Sequence, residues 1–174
     1  GLGKTTLANI IATEMGGELH TSIGTALQKQ TDIVDLFEDI FEGDIIFIDE
    51  IHRIPIKLEE LLYTAMEDSY INLGDERIHI PKFTLIGATT RLGDLSKPLR
   101  DRFGIQLRLE YYSQEELVSI AYRTASVLNV AITSDGALTL ASRSRGTPRI
   151  LNNFIRRAVD MMHTTGKDTI DETV

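Results

Sequence analysis

Apolar side chains recur at helical spacing over residues 4–15, where Leu7, Ile10, Ile11 and Met15 share one side and Gly16-Gly17 ends the run. A short strand is expected at residues 19–22. A helix follows over residues 31–41, with Ile33, Val34, Phe37, Ile40 and Phe41 together on its apolar side. The segment DIIFIDE is different: a near-continuous apolar run closed by two carboxylates, as in a strand buried on both faces of a parallel sheet. Residues 56–68 are amphipathic and helical. YINLGDERIHI reads as a β-hairpin turning at Gly74-Asp75, FTLIGATT as a second buried strand, and the alternating GIQLRLE as a third.

Beyond residue 110 the pattern becomes helical. Ser113 with Glu116 forms a capping box for a helix to about residue 128. Ser134 starts another, ending near Gly146. Thr147 as N-cap and Pro148 at the first helical position launch a third, to about residue 163. The fold class is therefore α/β with a parallel sheet over residues 1–110, followed by a small helical subdomain over residues 111–174. No internal repeat or low-complexity tract interrupts it.

Composition narrows the function classes. The 174 residues carry a net charge of −8, which argues against nucleic-acid binding through the overall field. The charge is uneven: residues 1–99 hold 8 basic and 17 acidic side chains, residues 100–174 hold 10 and 9. With no cysteine, disulfides and thiolate metal sites are excluded. No signal peptide or membrane-spanning run is evident, so a cytoplasmic location is the default expectation.

The opening GLGKTT matches the end of a phosphate-binding loop, G-x-x-x-x-G-K-[ST]. Backbone N–H groups of Gly1, Leu2, Gly3, Lys4 and Thr5 would wrap phosphates at a helix N-terminus. Lys4 would reach the β- and γ-phosphates, and Thr5 would ligate Mg²⁺. Asp49 and Glu50 close a buried strand, where carboxylates are costly without a cation. Mg²⁺ carried by ATP is the natural partner, with Asp49 in its outer coordination sphere and Glu50 polarising the attacking water. A pair that merely caps the next turn is the plain alternative. Thr89-Thr90-Arg91 ends the second buried strand, where a hydroxyl meets the γ-phosphate or the water. Arg100, Arg102 and Arg149 are candidate cations for transition-state charge. His20, His52, His79 and His163 lack ligand spacing and read as structural or surface residues, and Phe37 and Phe41 as core.

GLGKTTLA, FIDEIHR, FTLIGATTR, PLRDRFGI and RGTPR, in this order over almost the whole chain, resemble the RuvB family of AAA+ ATPases, bacterial motors that migrate Holliday junctions. The resemblance implies an AAA+ P-loop NTPase core followed by a helical lid, working as a homo-hexameric ring on ATP and Mg²⁺. It assigns Gly1, Gly3 and Thr6 to the nucleotide lining, Lys4 and Thr5 to Walker A, and Asp49 and Glu50 to Walker B. Thr90 becomes the sensor-1 residue and Arg102 the finger acting on the next subunit's ATP. Arg149 becomes sensor 2, at the hinge between core and lid. Tyr112 matches a tyrosine close to the nucleotide, and Glu67 and Asp68 an acidic pair near the subunit interface.

Three departures accompany the resemblance. Ser69 stands where an aromatic usually follows the acidic pair. The hairpin at residues 70–80, through which the family contacts its RuvA partner, is shorter by several residues. The family's winged-helix domain, which grips double-stranded DNA, is expected to lie beyond DTIDETV, where the 174 residues stop. The resemblance implies that the strand before the P-loop lies between those ending near Thr89 and Leu109. A chain truly starting at Gly1 would leave both neighbours with unpaired buried groups, at roughly 1–3 kcal/mol each, and would bind ATP poorly. The parent is therefore expected to continue upstream. Alternatives to a DNA translocase are an AAA+ protein remodeller or a nucleotide-dependent loader that barely hydrolyses ATP.

Overall fold

The apolar run before Asp49 is the middle strand of a parallel sheet. Such a strand has neighbours on both edges and cover on both faces, so its side chains have no route to water. In the computed structural model, which describes residues 2–173, β2 (Ile45–Asp49) lies between β1 (Leu19–Ile23) and β5 (Thr84–Gly87), both parallel to it. Residues Ile45 to Ile48 are all buried. Gly1 and the His163 side chain lie outside the described residues.

The chain divides into two compact units, residues 4–107 and residues 1–3 with 108–174. The first contains the sheet together with α1 (Lys4–Met15), α2 (Gln30–Asp35), α3 (Ile56–Asp68), the antiparallel hairpin β3 (Tyr70–Leu73) and β4 (Glu76–His79), and α4 (Lys97–Arg102). Its main core joins Ile33, Phe37, Ile46, Ile48, Leu62, Ile71 and Leu99. On the other side of the sheet, Ala8 of α1 packs with Phe47 and Ala88.

Three expectations fail between residues 4 and 109. The buried side of α1 is Ala8 and Ala12, while Ile10 and Met15 are exposed. Small side chains let the helix approach Phe47 closely, and that contact, not hydrophobicity alone, selects the buried side. The helix expected over residues 31–41 ends at Asp35. Tighter i→i+3 bonds follow, Phe37 N–H to Val34 C=O and Ile40 N–H to Phe37 C=O, which bury Phe37 but leave Phe41 71 % exposed. Residues 105–109 form no strand, and Ile105 and Leu107 are 81 % and 70 % exposed. An alternating segment becomes a strand only beside a partner, and none lies against it among the described residues.

The second unit is α5 (Gln114–Val127), α6 (Ser134–Arg143) and α7 (Pro148–Thr165), with a short parallel pair between β6 (Ala131–Ile132) and β7 (Thr169–Ile170) that the sequence pattern did not disclose. Leu117, Ala121, Ala137, Ala141, Leu151 and Ile155 form its core. The capping box at Ser113 is present: its hydroxyl accepts from Glu116 N–H at 3.2 Å, and the Glu116 carboxylate from Ser113 N–H at 2.8 Å. Thr147 occupies the N-cap position of α7 but leaves the helix uncapped, its hydroxyl donating instead to Arg145 C=O at 3.4 Å. Among the described residues no helix is long and apolar enough to cross a membrane.

Candidate active site

Parallel strands bring their carboxyl ends to one edge of the sheet, and three polar segments meet there. β2 delivers Asp49 and Glu50, β5 runs on to Thr89 and Thr90, and α1 starts at Lys4. The Lys4 ammonium lies 3.6 Å from Asp49 Oδ1 and 3.5 Å from Glu50 Oε1. The Asp49 carboxylate accepts from Glu50 N–H at 3.0 Å. Glu50 itself is left-handed, at φ 50° and ψ 44°, a conformation costly for a residue with a Cβ. It turns the chain sharply off the strand into a 3₁₀ turn at Ile51–Arg53.

Three groups converge on the Glu50 carboxylate. Besides Lys4, the Thr90 hydroxyl donates to Oε2 at 3.0 Å, and His52 Nε2 lies 3.4 Å from the same oxygen. Burial works against the charge on Glu50. The Thr90 hydrogen bond, the Lys4 ammonium and the His52 ring outweigh it and hold the carboxyl below its ordinary value. Glu50 is thus kept ionised and oriented, as a group that takes a proton from water must be.

The start of α1 has the features of an anion site. Its first turn contains no acidic residue, and Thr5 and Thr6 are exposed on it. Free N–H groups there, with Lys4 beside them, favour a phosphate. Gly3, at φ 98°, makes the turn into the helix that a side chain would strain. The oxygen donors available near Lys4, the Thr5 hydroxyl and the Asp49 carboxylate, suit a hard cation such as Mg²⁺. Among the described residues no cluster of three or more carboxylates and histidines could hold a metal without further ligands. Mg²⁺ normally keeps waters and phosphate oxygens in its shell, so this sparse set fits it.

Other expected site residues lie elsewhere. Arg102, the last residue of α4, pairs with Glu67 of α3, its guanidinium 5.4 Å from the centre of the Tyr63 ring. Asp68 ends α3 and is exposed, and Ser69 after it is left-handed at φ 57°. In the second unit, the Tyr112 hydroxyl donates to Leu2 C=O at 3.4 Å. Arg149 is the second residue of α7 and is exposed. His52, which the sequence marked as merely structural or surface, stands against Glu50 instead. The only signal was its place two residues after Glu50.

A family model described as the Holliday junction DNA helicase RuvB P-loop domain matches residues 1–109, and one described as the RuvB AAA lid domain matches residues 112–174. A Holliday junction branch migration complex subunit RuvB from Oenococcus oeni is 52 % identical over 182 aligned positions, covering 100 % of this chain and 54 % of the relative. The solved Thermotoga maritima RuvB Holliday junction branch migration motor superposes with a TM-score of 0.89 at 47 % identity, over 98 % of this chain and 55 % of that one. The chain thus spans about half the length of the relatives it matches. The structure of NtrX from Brucella abortus in complex with ATP, 16 % identical over 93 % of this chain and 43 % of its own with a TM-score of 0.76, shares the fold alone.

Proposed function

Because the chain belongs to the RuvB family of AAA+ P-loop ATPases, we propose that it is the engine of an ATP-hydrolysing motor that drives Holliday-junction branch migration in recombination and repair. The observation that carries the reading is the meeting of Lys4, Asp49, Glu50 and Thr90 at one strand-end edge. A phosphate-binding helix start, a cation and an oriented carboxylate base are the parts that phosphoryl transfer to water requires.

In this mechanism the N–H groups of residues 2–5 and the Lys4 ammonium, with Gly1 and Thr6 in the same lining, hold the β- and γ-phosphates of ATP. Thr5 and Asp49 would hold Mg²⁺, which when bound neutralises charge on the phosphate oxygens. Glu50 orients a water and takes its proton as the water oxygen bonds to the γ-phosphorus. The bond to the β–γ bridging oxygen breaks, and ADP and phosphate leave. Thr90 keeps Glu50 aligned. Arg102 serves the ATP of the next subunit in a homo-hexamer, near whose interface Glu67 and Asp68 lie. Tyr112 and Arg149 respond to the nucleotide from the lid. Residues 1–110 are the ATPase core and 111–174 the lid.

The family's partners follow as part of the proposal: four-way and double-stranded DNA, and a RuvA-like junction-binding protein at the hairpin of residues 70–80, in the cytoplasm. The test is ATP hydrolysis by the full-length protein with four-way junction DNA or an unfolded polypeptide added. Stimulation by the junction supports the motor. Stimulation by the polypeptide would replace it with a protein remodeller, and binding without hydrolysis with a loader.

A further inference from the structure

His52 is a titratable side chain at this edge that the hydrolytic mechanism leaves unused. Its side chain is 3 % exposed, yet both ring nitrogens face polar partners. Nδ1 lies 2.7 Å from the Thr89 hydroxyl oxygen, and Nε2 3.4 Å from Glu50 Oε2. The Thr89 oxygen also accepts from Arg91 N–H at 2.9 Å. The Glu50 carboxylate can only accept, so a neutral ring beside it carries its proton on Nε2, and Nδ1 accepts from the Thr89 hydroxyl.

We propose that His52 is a positioning residue for hydrolysis, linking Thr89 at the end of β5 to the Glu50 carboxylate at the end of β2. The inference rests on the reading of Glu50 as the base that activates water. The Thr90 hydroxyl is closer to Oε2, at 3.0 Å, than to Oε1, at 3.4 Å, and His52 Nε2 lies nearest Oε2, so Oε2 is held from two sides while Oε1 faces Lys4. The link also explains how a left-handed Glu50 is kept in one orientation. The 3₁₀ turn that follows it folds His52 back under the carboxylate, and β5 supplies the hydroxyl that locks the ring. Thr89 and Thr90, adjacent in sequence, therefore act on Glu50 by two routes, one through the imidazole and one direct.

Single-turnover ATP hydrolysis by the full-length protein, alongside equilibrium binding of a fluorescent ATP analogue, tests this. His52→Asn keeps a partner for Thr89 but withdraws the Nε2 donor. It should slow hydrolysis by about 10-fold, the order of one modest polar interaction, with nucleotide affinity unchanged. His52→Gln extends an N–H toward Glu50 and should recover much of the rate. In a Glu50→Gln background, His52→Asn should cost nothing further. In the unmodified protein, imidazole ¹⁵N shifts should show Nε2 protonated, a readout that does not depend on any variant folding. A wild-type rate for His52→Asn, a loss as large in the Glu50→Gln background, or a bare Nε2 would overturn the inference. Should Glu50→Gln hydrolyse as fast as the unmodified protein, the reading of Glu50 as base fails first and takes this inference with it.

Discussion

The Thr90 hydroxyl reaches Glu50 Oε2 at 3.0 Å across forty residues of sequence, because β5 and β2 are parallel neighbours that end at the same edge. That bond is a leading reason the Glu50 carboxyl sits below its ordinary 4.5 despite partial burial, with Lys4 and His52 adding to it. On the proposed reading of Glu50 as the base, which works only when ionised, hydrolysis should hold at pH 4.5 and be lost only as pH falls through the depressed folded value. Thr90→Val removes a stabiliser of the ionised form and so raises the Glu50 value. The acid limb of the pH–rate profile should move upward, and the plateau should fall by roughly 10-fold. A limb that stays in place would separate Thr90 from the ionisation of Glu50.

Arg102 is held by Glu67 within its own chain, yet both side chains are substantially exposed. An exposed pair of this kind is worth about 0–1 kcal/mol, so it does not prevent the guanidinium from turning to a phosphate on a neighbour. Arg102→Ala should keep nucleotide affinity and lose hydrolysis by on the order of 10³-fold. Lys4→Ala should lose binding. Mixing the two inactive proteins should restore part of the activity, since a Lys4→Ala subunit still offers Arg102 to an intact site next door. Activity that stays at the background level in the mixture would place Arg102 outside any shared site.

The strand-end carboxylates were legible in the sequence because a strand buried on both faces leaves an uninterrupted apolar run, and Asp49-Glu50 ends it abruptly. The capping box at Ser113 was legible for a similar reason, being a local exchange between residues three apart. What escaped depends on neighbours distant in the chain. Ile10 and Phe41 are as apolar as the residues that were buried, but the sheet offers α1 a contact at Ala8 and Ala12, and the chain leaves its helix at Asp35 before Phe41 can turn inward. GIQLRLE alternates correctly and still forms no strand, since alternation supplies no partner. His52 was unreadable because its partner Thr89 lies thirty-seven residues away.

Asp44 is the buried carboxylate that fixes the start of the central strand. It accepts from Phe41 N–H at 2.9 Å and Glu18 N–H at 3.1 Å, and it meets His20 Nε2 at 3.1 Å. The Phe41 N–H bond leads in holding it below its ordinary 3.8; burial opposes the shift, while Glu18 N–H and His20 add to it. Asp44→Asn should destabilise the protein by about 1.5–3 kcal/mol at neutral pH, measured by denaturant unfolding. The folded-state value is depressed, so the carboxylate's contribution is complete above about pH 3.8 and is lost as pH falls through the folded value. The gap between native and variant stability should therefore narrow below pH 3.8. A gap independent of pH would mean that shape, not charge, is what Asp44 contributes.

Gly24 ties the fold to the chemistry most directly. Its N–H donates to Asp49 C=O at 2.8 Å, pinning the end of β1 against the end of β2. A Cβ there would drive into the Glu50 carbonyl oxygen and lie 3.1 Å from its carbonyl carbon, and backbone cannot swing aside as a side-chain tip can. Gly24→Ala should therefore push the Asp49-Glu50 corner away from Lys4 and Thr90, costing about 1–3 kcal/mol of stability through overpacking. Hydrolysis should fall further than that loss explains, because a displacement of about 1 Å at a reacting group can cost 10²-fold in rate. Gly93→Ala is the matched control: a Cβ there meets nothing within 4 Å. It should leave both melting temperature and hydrolysis unchanged. Equal effects from the two substitutions would show that Gly24 is tolerant and that the corner is held by the side chains around Glu50 rather than by the approach of β1.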